Sequence, residues 1–178
     1  MAKRKKSNLK WIKETLELKP DHHWESPPEH KIFVAGRGAV RFNVPHDWHF
    51  EPKENSFRFC DKKPPDDDCG LEVSYNHLPE RDWSLFPLKR TLKKIIEDDS
   101  RNPFEVGEVV TVKRQTARIV WVEMKFIDTQ EEPREAFSRT CIAIGSNIQC
   151  LITYEFWASQ AEQLTPVWDE VIRSLTLG

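Results

Sequence analysis

Four cysteines stand in two pairs of equal spacing, Cys60 with Cys69 and Cys141 with Cys150. Each pair brackets a hairpin turn, so three chemistries are open: a disulfide across neighbouring strands, a four-thiolate zinc site if both hairpins converge, or reduced structural thiols. With no export signal expected, buried and reduced thiols are the ordinary outcome. A catalytic thiol needs a histidine base and a lowered pKa, whereas Cys141 and Cys150 stand among apolar residues that make a thiol inert. Five of the six histidines, His22, His23, His30, His46 and His49, precede residue 50, and His46-Asp47-Trp48-His49 follows a strand-like run. Asp66, Asp67 and Asp68 offer carboxylates to a hard cation, but neither group has a recognised metal-ligand spacing. No GxSxG, HExxH, GxxxxGK[ST] or GxGxxG pattern occurs. Gly36-Arg37-Gly38 leads into a strand, whereas a phosphate cradle leads into a helix. The expectation is therefore no catalytic residue, no cofactor and no bound metal.

Binding is better supported than catalysis. Seven tryptophans exceed what one core requires, and Trp24, Trp48 and Trp83 fall in loops or at element edges, where a large amphipathic side chain anchors contacts. The segment from Pro45 to Pro52 and the loop from Asp61 to Asp68 combine prolines, charges and aromatics. The candidate partner-binding residues are Trp48, as an apolar anchor, ringed by His46, His49, Asp66, Asp67 and Asp68.

Composition narrows the partners. The chain has 178 residues, 38% hydrophobic, with 27 basic and 29 acidic residues and a formal charge of -2. That balance provides no overall field to draw it to nucleic acid or to an anionic membrane. Lys89, Arg90, Lys93 and Lys94 read as the solvated side of a helix, balanced by Glu97, Asp98 and Asp99. The basic run Lys3–Lys6 reads as a solubilising tail. The charges in Asn8–Glu14 rule out the apolar stretch of a signal peptide. No window approaches the roughly 20 apolar residues that span a bilayer. The expected setting is the cytoplasm and the expected partner a protein of unknown identity, with no nucleic acid, no membrane insertion, and a monomer or weak dimer.

The elements that would position these residues follow from period. Leu9, Ile12 and Leu16 predict a short amphipathic helix over Ser7–Lys19, and Pro27 and Pro28 make 21–29 a linker. Strands are expected over Lys31–Ala35, Ala39–Val44, Ser56–Cys60 and Leu71–Asn76, the first two joined at Gly36-Arg37-Gly38. Leu88, Leu92, Ile95 and Ile96 predict a helix over Pro87–Asp98. Four more strands, Phe104–Lys113, Ala117–Asp128, Ala136–Ile144 and Ile148–Trp157, form an antiparallel meander. A turn centred on Gly145-Ser146 would set Cys141 opposite Cys150. Ser159 to Glu162 has the form of a capping box, and Pro166 fits a first helical turn. Trp168, Val171, Ile172 and Leu175 complete an apolar helix face, expected in the core with Leu88, Leu92 and Ile95.

The Phe42-Asn43-Val44-Pro45-x-x-Trp48 entry, the order of elements and the terminal helix ending in Ile172-Arg173-Ser174-Leu175 resemble the Mog/PsbP-like superfamily over roughly residues 30 to 177. That superfamily includes the extrinsic PsbP subunit of photosystem II, the Ran-release factor Mog and bacterial chaperones of secreted effectors. The resemblance implies an α+β fold, an α/β/α sandwich with a mostly antiparallel central sheet flanked by helices, and a binding, chaperone or assembly role without catalysis. It carries over no site residue. The expected organisation is an extension over 1–29 and a single domain over 30–178. The competing reading is a metal-dependent hydrolase-type enzyme with a site of loops around His46, His49 and Asp66–Asp68.

Overall fold

A computed structural model of the chain describes residues 23–129 and 132–178. The helix expected over Ser7–Lys19 and the basic run Lys3–Lys6 lie outside the described residues. Residues 23–29 carry neither helix nor strand. Trp24 lies under the Arg41 guanidinium, 4.3 Å from it, and the Glu25 carbonyl accepts from Asn43 Nδ2 at 3.1 Å.

Strand β1 (His30–Ala35) pairs antiparallel with β2 (Val40–Pro45). Their turn holds Gly36, Arg37 and Gly38 at φ of 56°, 57° and 107°, left-handed conformations that two glycines supply at little cost. The main sheet contains β3 (His49–Pro52), β4 (Phe57–Cys60), β5 (Cys69–His77), β6 (Glu105–Val106), β7 (Val110–Lys113), β8 (Arg118–Asp128), β9 (Arg134–Gly145) and β10 (Ile148–Trp157). Its order is β3-β4-β5-β10-β9-β8-β6, with β7 also on β8, and every pairing is antiparallel. Helix α1 (Leu88–Glu97) precedes β6, and helix α2 (Ala161–Ser174) follows β10. A two-residue strand, β11 (Thr176–Leu177), pairs with β2 and completes a small three-stranded sheet.

Alternation along the strands divides the core in two. Ile119, Cys141, Ile152 and Leu71 point to the side of α2 and the small sheet, where Phe42, Trp168, Val171 and Leu175 are buried with them. Val120, Val122, Ile142 and Ile144 point the other way, against Leu88 and Leu92 of α1. Asn43, 2% exposed, ties the first layer together: its Nδ2 donates to Glu170 Oε1 on α2 at 2.7 Å, and its backbone N–H donates to Ser174 Oγ at 2.8 Å. The mostly antiparallel sheet of the expected fold class is thus present. The described residues place two helices beside it, and one layer is shared with the small sheet.

Several expectations are corrected. Pro45 to Pro52 is not all loop, because His49–Pro52 forms the edge strand β3 on β4. Ile95 is 37% exposed, since Leu88, Leu92 and Ile96 already fill the contact with the sheet. Phe104–Lys113 is broken: Gly107 N–H still reaches the Glu123 carbonyl, at 2.8 Å, but Val110 faces Trp121, so Glu108 and Val109 together oppose Val122. This bulge turns Val109 onto the α1-side core. The β9–β10 turn is centred on Ser146 and Asn147, at φ 48° and 57°, and Cys141 therefore faces Ile152 while Cys150 faces Ala143. Gly145 is needed for clearance instead: a Cβ there would lie 2.2 Å from the Thr116 carbonyl oxygen. Pro166 sits inside α2 rather than in its first turn, and Gln160 takes the N-cap position with no side-chain cap bond, after a 3-10 turn over Ala158–Gln160.

Candidate partner-binding site

The residues nominated from sequence separate. Trp48 is 6% exposed and packs with Tyr154, ring centroids 6.0 Å apart, so it belongs to the core and is no exposed anchor. The cause is Lys31, whose ammonium donates to the carbonyls of His46 at 2.9 Å and Trp48 at 2.7 Å and folds the turn inward. His46 and Asp47 remain exposed and line a depression of about 500 Å³ with Glu29, His30, Pro166 and Val167. His49 is exposed at the start of β3, opposite Cys60. Asp66 is exposed at the hairpin tip, whereas Asp67 pairs with Arg58 at 2.7 Å and Asp68 with Lys62. Hydrogen bonding from Lys62 holds the Asp68 carboxyl below its ordinary value. Asp61, which drew no attention in the sequence, closes this loop by accepting from the backbone N–H groups of Asp68 and Cys69 at 2.9 and 3.2 Å. Among the described residues, no group of three or more His, Cys, Asp or Glu side chains is placed to hold a metal ion.

All four cysteines are free and buried. Burial pushes the Cys69 thiol up to about 12, and the Cys141 and Cys150 thiols are also raised by burial. At Cys60, burial outweighs the opposing hydrogen bond from Arg58 Nε, at 3.1 Å. Cys60 faces Gly70, so Cys69 points to the opposite side of the sheet. Thiols so placed are poor nucleophiles near neutral pH.

A second depression, also about 500 Å³, was not foreseen and lies on the part of the main sheet beside α1. Glu72 and Ser74 from β5 and Thr153 and Glu155 from β10 line its floor, all pointing to the α1 side. One wall is the Arg58–Asp67 pair, and the other includes Phe126 and Trp157. Burial alone would raise the Glu72 carboxyl, but hydrogen bonds from Ser56, at 2.6 Å, and Lys53, at 3.0 Å, outweigh it and hold it below its usual value. Arg101 reaches in from the α1–β6 connection: it bonds Asp99 at 2.6 Å and Ser138 Oγ at 3.2 Å, pairs with Glu155, and lies 4.6 Å over the Phe126 ring. The result is a polar shelf on the sheet, lined by carboxylates and by the cations that pair with them. Its parts come from β4, β5, β8, β10 and two loops, so no local spacing announces them.

Comparison with known proteins fits this architecture. Cyanobacterial PsbP (CyanoP) from Synechocystis sp. PCC 6803 superposes with a TM-score of 0.58 at 10% identity, covering 86% of this chain and 95% of that one. The Saccharomyces cerevisiae Ran-binding protein Mog1p gives 0.55 at 12% identity, covering 83% and 95%. At such identities the likeness is one of fold, and it bears out the resemblance seen in the sequence. An uncharacterized protein of Nostoc sp. PCC 7120, alr1449, is 74% identical over all 178 residues of this chain and 93% of its own length. The family model described as Alr1449 matches residues 31–178, and with so close a relative along the whole chain the protein belongs to the Alr1449 family.

Proposed function

We propose that the chain is a non-enzymatic binding, chaperone or assembly protein of the cytoplasm, a monomer or weak dimer whose body spans 30–178 behind an extension over 1–29. The observation that carries this reading is the polar shelf between Arg58 and Arg101, open to solvent on a sheet whose thiols are buried with raised pKa values. Antiparallel sheets leave one face free at little cost, and a rigid face keeps down the entropy lost on docking. The name of Mog1p records Ran binding for that protein, and the shared fold lends a partner-binding role support. The metal-dependent hydrolase-type alternative draws no support from the placement of His46, His49 and Asp66–Asp68, which do not form a ligand set.

The test is affinity capture from native cells with the full chain and two variants, Glu155→Lys and Glu72→Lys. A partner recovered by the wild type and lost by both variants, at unchanged melting temperature, supports the shelf as the docking site. Recovery unaffected by either variant rejects it. Stoichiometric metal in the purified protein would revive the enzyme reading.

A further inference from the structure

The outer surface of α1 carries a charge pattern that works against the helix itself. Lys89 and Arg90 occupy its first turn, which holds no acidic residue, while Glu97 and Asp98 stand at its end. Backbone amides make the first turn positive and the last negative, so both sets are repelled by the nearer pole. Lys89, Arg90, Lys93 and Lys94 are all exposed, and among the described residues none of their four side chains forms a hydrogen bond or an ion pair. Seven basic side chains elsewhere, Lys53, Arg58, Lys62, Arg101, Lys125, Arg139 and Arg173, pair with carboxylates, whereas the four on α1 form one unpaired cluster on a single helix.

Apolar side chains share this layer. Leu85, three residues before α1, is 91% exposed, and Ile95 on the helix is 37% exposed. Val106, 48% exposed, pairs with the α1-side residue Met124 and so points to the same side of the sheet, and Phe104, 57% exposed, lies just before that strand, its backbone N–H donating to the Lys125 carbonyl at 3.0 Å. Leu85 sits in a well-bonded turn. Its turn is closed by Phe86 N–H to the Trp83 carbonyl at 3.0 Å, Arg118 donates to the carbonyls of both Trp83 and Phe86, and Arg81 stacks 3.7 Å over the Trp83 ring. Ordering so many groups around a leucine that touches almost nothing leaves its apolar surface for another body.

We infer that the α1 layer is a peripheral docking surface for an anionic lipid bilayer: Lys89, Arg90, Lys93 and Lys94 meet the headgroups, and Leu85 and Phe104 enter the interfacial region. Unpaired cations with scattered apolar knobs suit a fluid anionic film, which is complementary in charge and needs no matching pocket. Glu97 and Asp98 are repelled by the same film, so the first two turns of α1 lie closest to it. The surface involves no membrane-spanning segment, and none of the helices among the described residues is long and apolar enough to be one. The inference is independent of the shelf proposed above.

Co-sedimentation of the full chain with phosphatidylglycerol/phosphatidylcholine vesicles, against pure phosphatidylcholine vesicles, tests it. Four cations at an anionic surface correspond to partitioning on the order of 10²- to 10³-fold in favour of the anionic vesicles, falling as salt is added. Combined Lys89→Gln, Arg90→Gln, Lys93→Gln and Lys94→Gln should reduce binding to the neutral-vesicle level, and Leu85→Ser with Phe104→Ser should weaken it several-fold while leaving the salt dependence unchanged. Circular dichroism melts establish that the variants fold; should the fourfold variant fail, the Lys89→Gln, Arg90→Gln pair answers the same question. Equal binding to both vesicles, wild-type binding by the charge variant, or no binding to either vesicle overturns the inference, the last leaving the face to a soluble acidic protein.

Discussion

The two helices bear on the same sheet and obey opposite rules. In α2 charge and burial favour the fold, despite the interior Pro166 and the uncapped start: Glu162 in the first turn and Arg173 in the last complement the amide dipole, and Leu164, Trp168, Val171 and Ile172 are buried. Its C-terminus is also served from outside, by Arg114, which donates to the carbonyls of Leu175, at 2.6 Å, and Ile172. In α1 only Leu88 and Leu92 are fully buried, and its first turn holds Lys89 and Arg90 with no acidic residue, although Lys94 in its last turn suits the dipole. A helix whose apolar face is buried and whose end charges suit its dipole serves the core; one whose first turn carries unopposed cations points to a demand beyond stability.

The largest expected effect tests the α2 side. Trp168 is fully buried, its ring stacked on Tyr154 at 6.1 Å and edge-on to Trp121 at 5.5 Å. Trp168→Ala should cost about 3–5 kcal/mol in urea unfolding. A loss below about 1 kcal/mol would mean that α2 is not the keystone described. Next, Arg114→Ala should cost about 1.5–3 kcal/mol by removing charged donors from partly buried carbonyls, with no equivalent site on α1.

Acid unfolding gives a smaller and signed effect. The hydrogen bond from Arg101 holds the Asp99 carboxyl below its ordinary value of 3.8. The folded state thus binds fewer protons than the unfolded state near that value, so this stabilisation is present above it and is lost as pH falls through the folded pKa. Asp99→Asn should lower stability by about 1 kcal/mol at pH 7, with the gap to wild type closing as the carboxyl is protonated in acid. A gap that persists in acid would assign the role of Asp99 to packing. The smallest effect sharpens the helix comparison most: Lys89→Glu should stabilise the protein by about 0.3–1 kcal/mol. If it destabilises instead, the charge pattern of α1 is part of the fold, and the case for a lipid-facing surface weakens with it.

Much of the architecture was legible because period survives in single segments. Leu88-Leu92-Ile96 and Trp168-Val171-Ile172-Leu175 announce their helices, and alternation announces β8, β9 and β10. The failures share a cause, since each depended on a partner distant in sequence. His49–Pro52 offers one apolar side chain, Phe50, between charged neighbours and a proline, and becomes a strand only because β4 is beside it. Trp48 reads as a surface anchor until Lys31 draws its turn inward. Gly145 reads as a turn residue, but it is the backbone at Thr116 that requires it to lack a side chain. The shelf was invisible for the same reason: Glu72, Arg101 and Glu155 meet only across the folded sheet.

The bulge at Glu108 and Val109 bears on what happens at high concentration. Without the extra residue, Phe104–Lys113 would run as one straight strand along the rim of the sheet, with exposed Phe104, Val106 and Val110 beside an unpaired ladder. Such a rim is a template on which further chains add, and an interrupted, twisted one is a poor template. The kink thus keeps one molecule from recruiting the next, and a chain lacking Glu108 should form thioflavin-positive aggregates at concentrations where the intact protein stays clear.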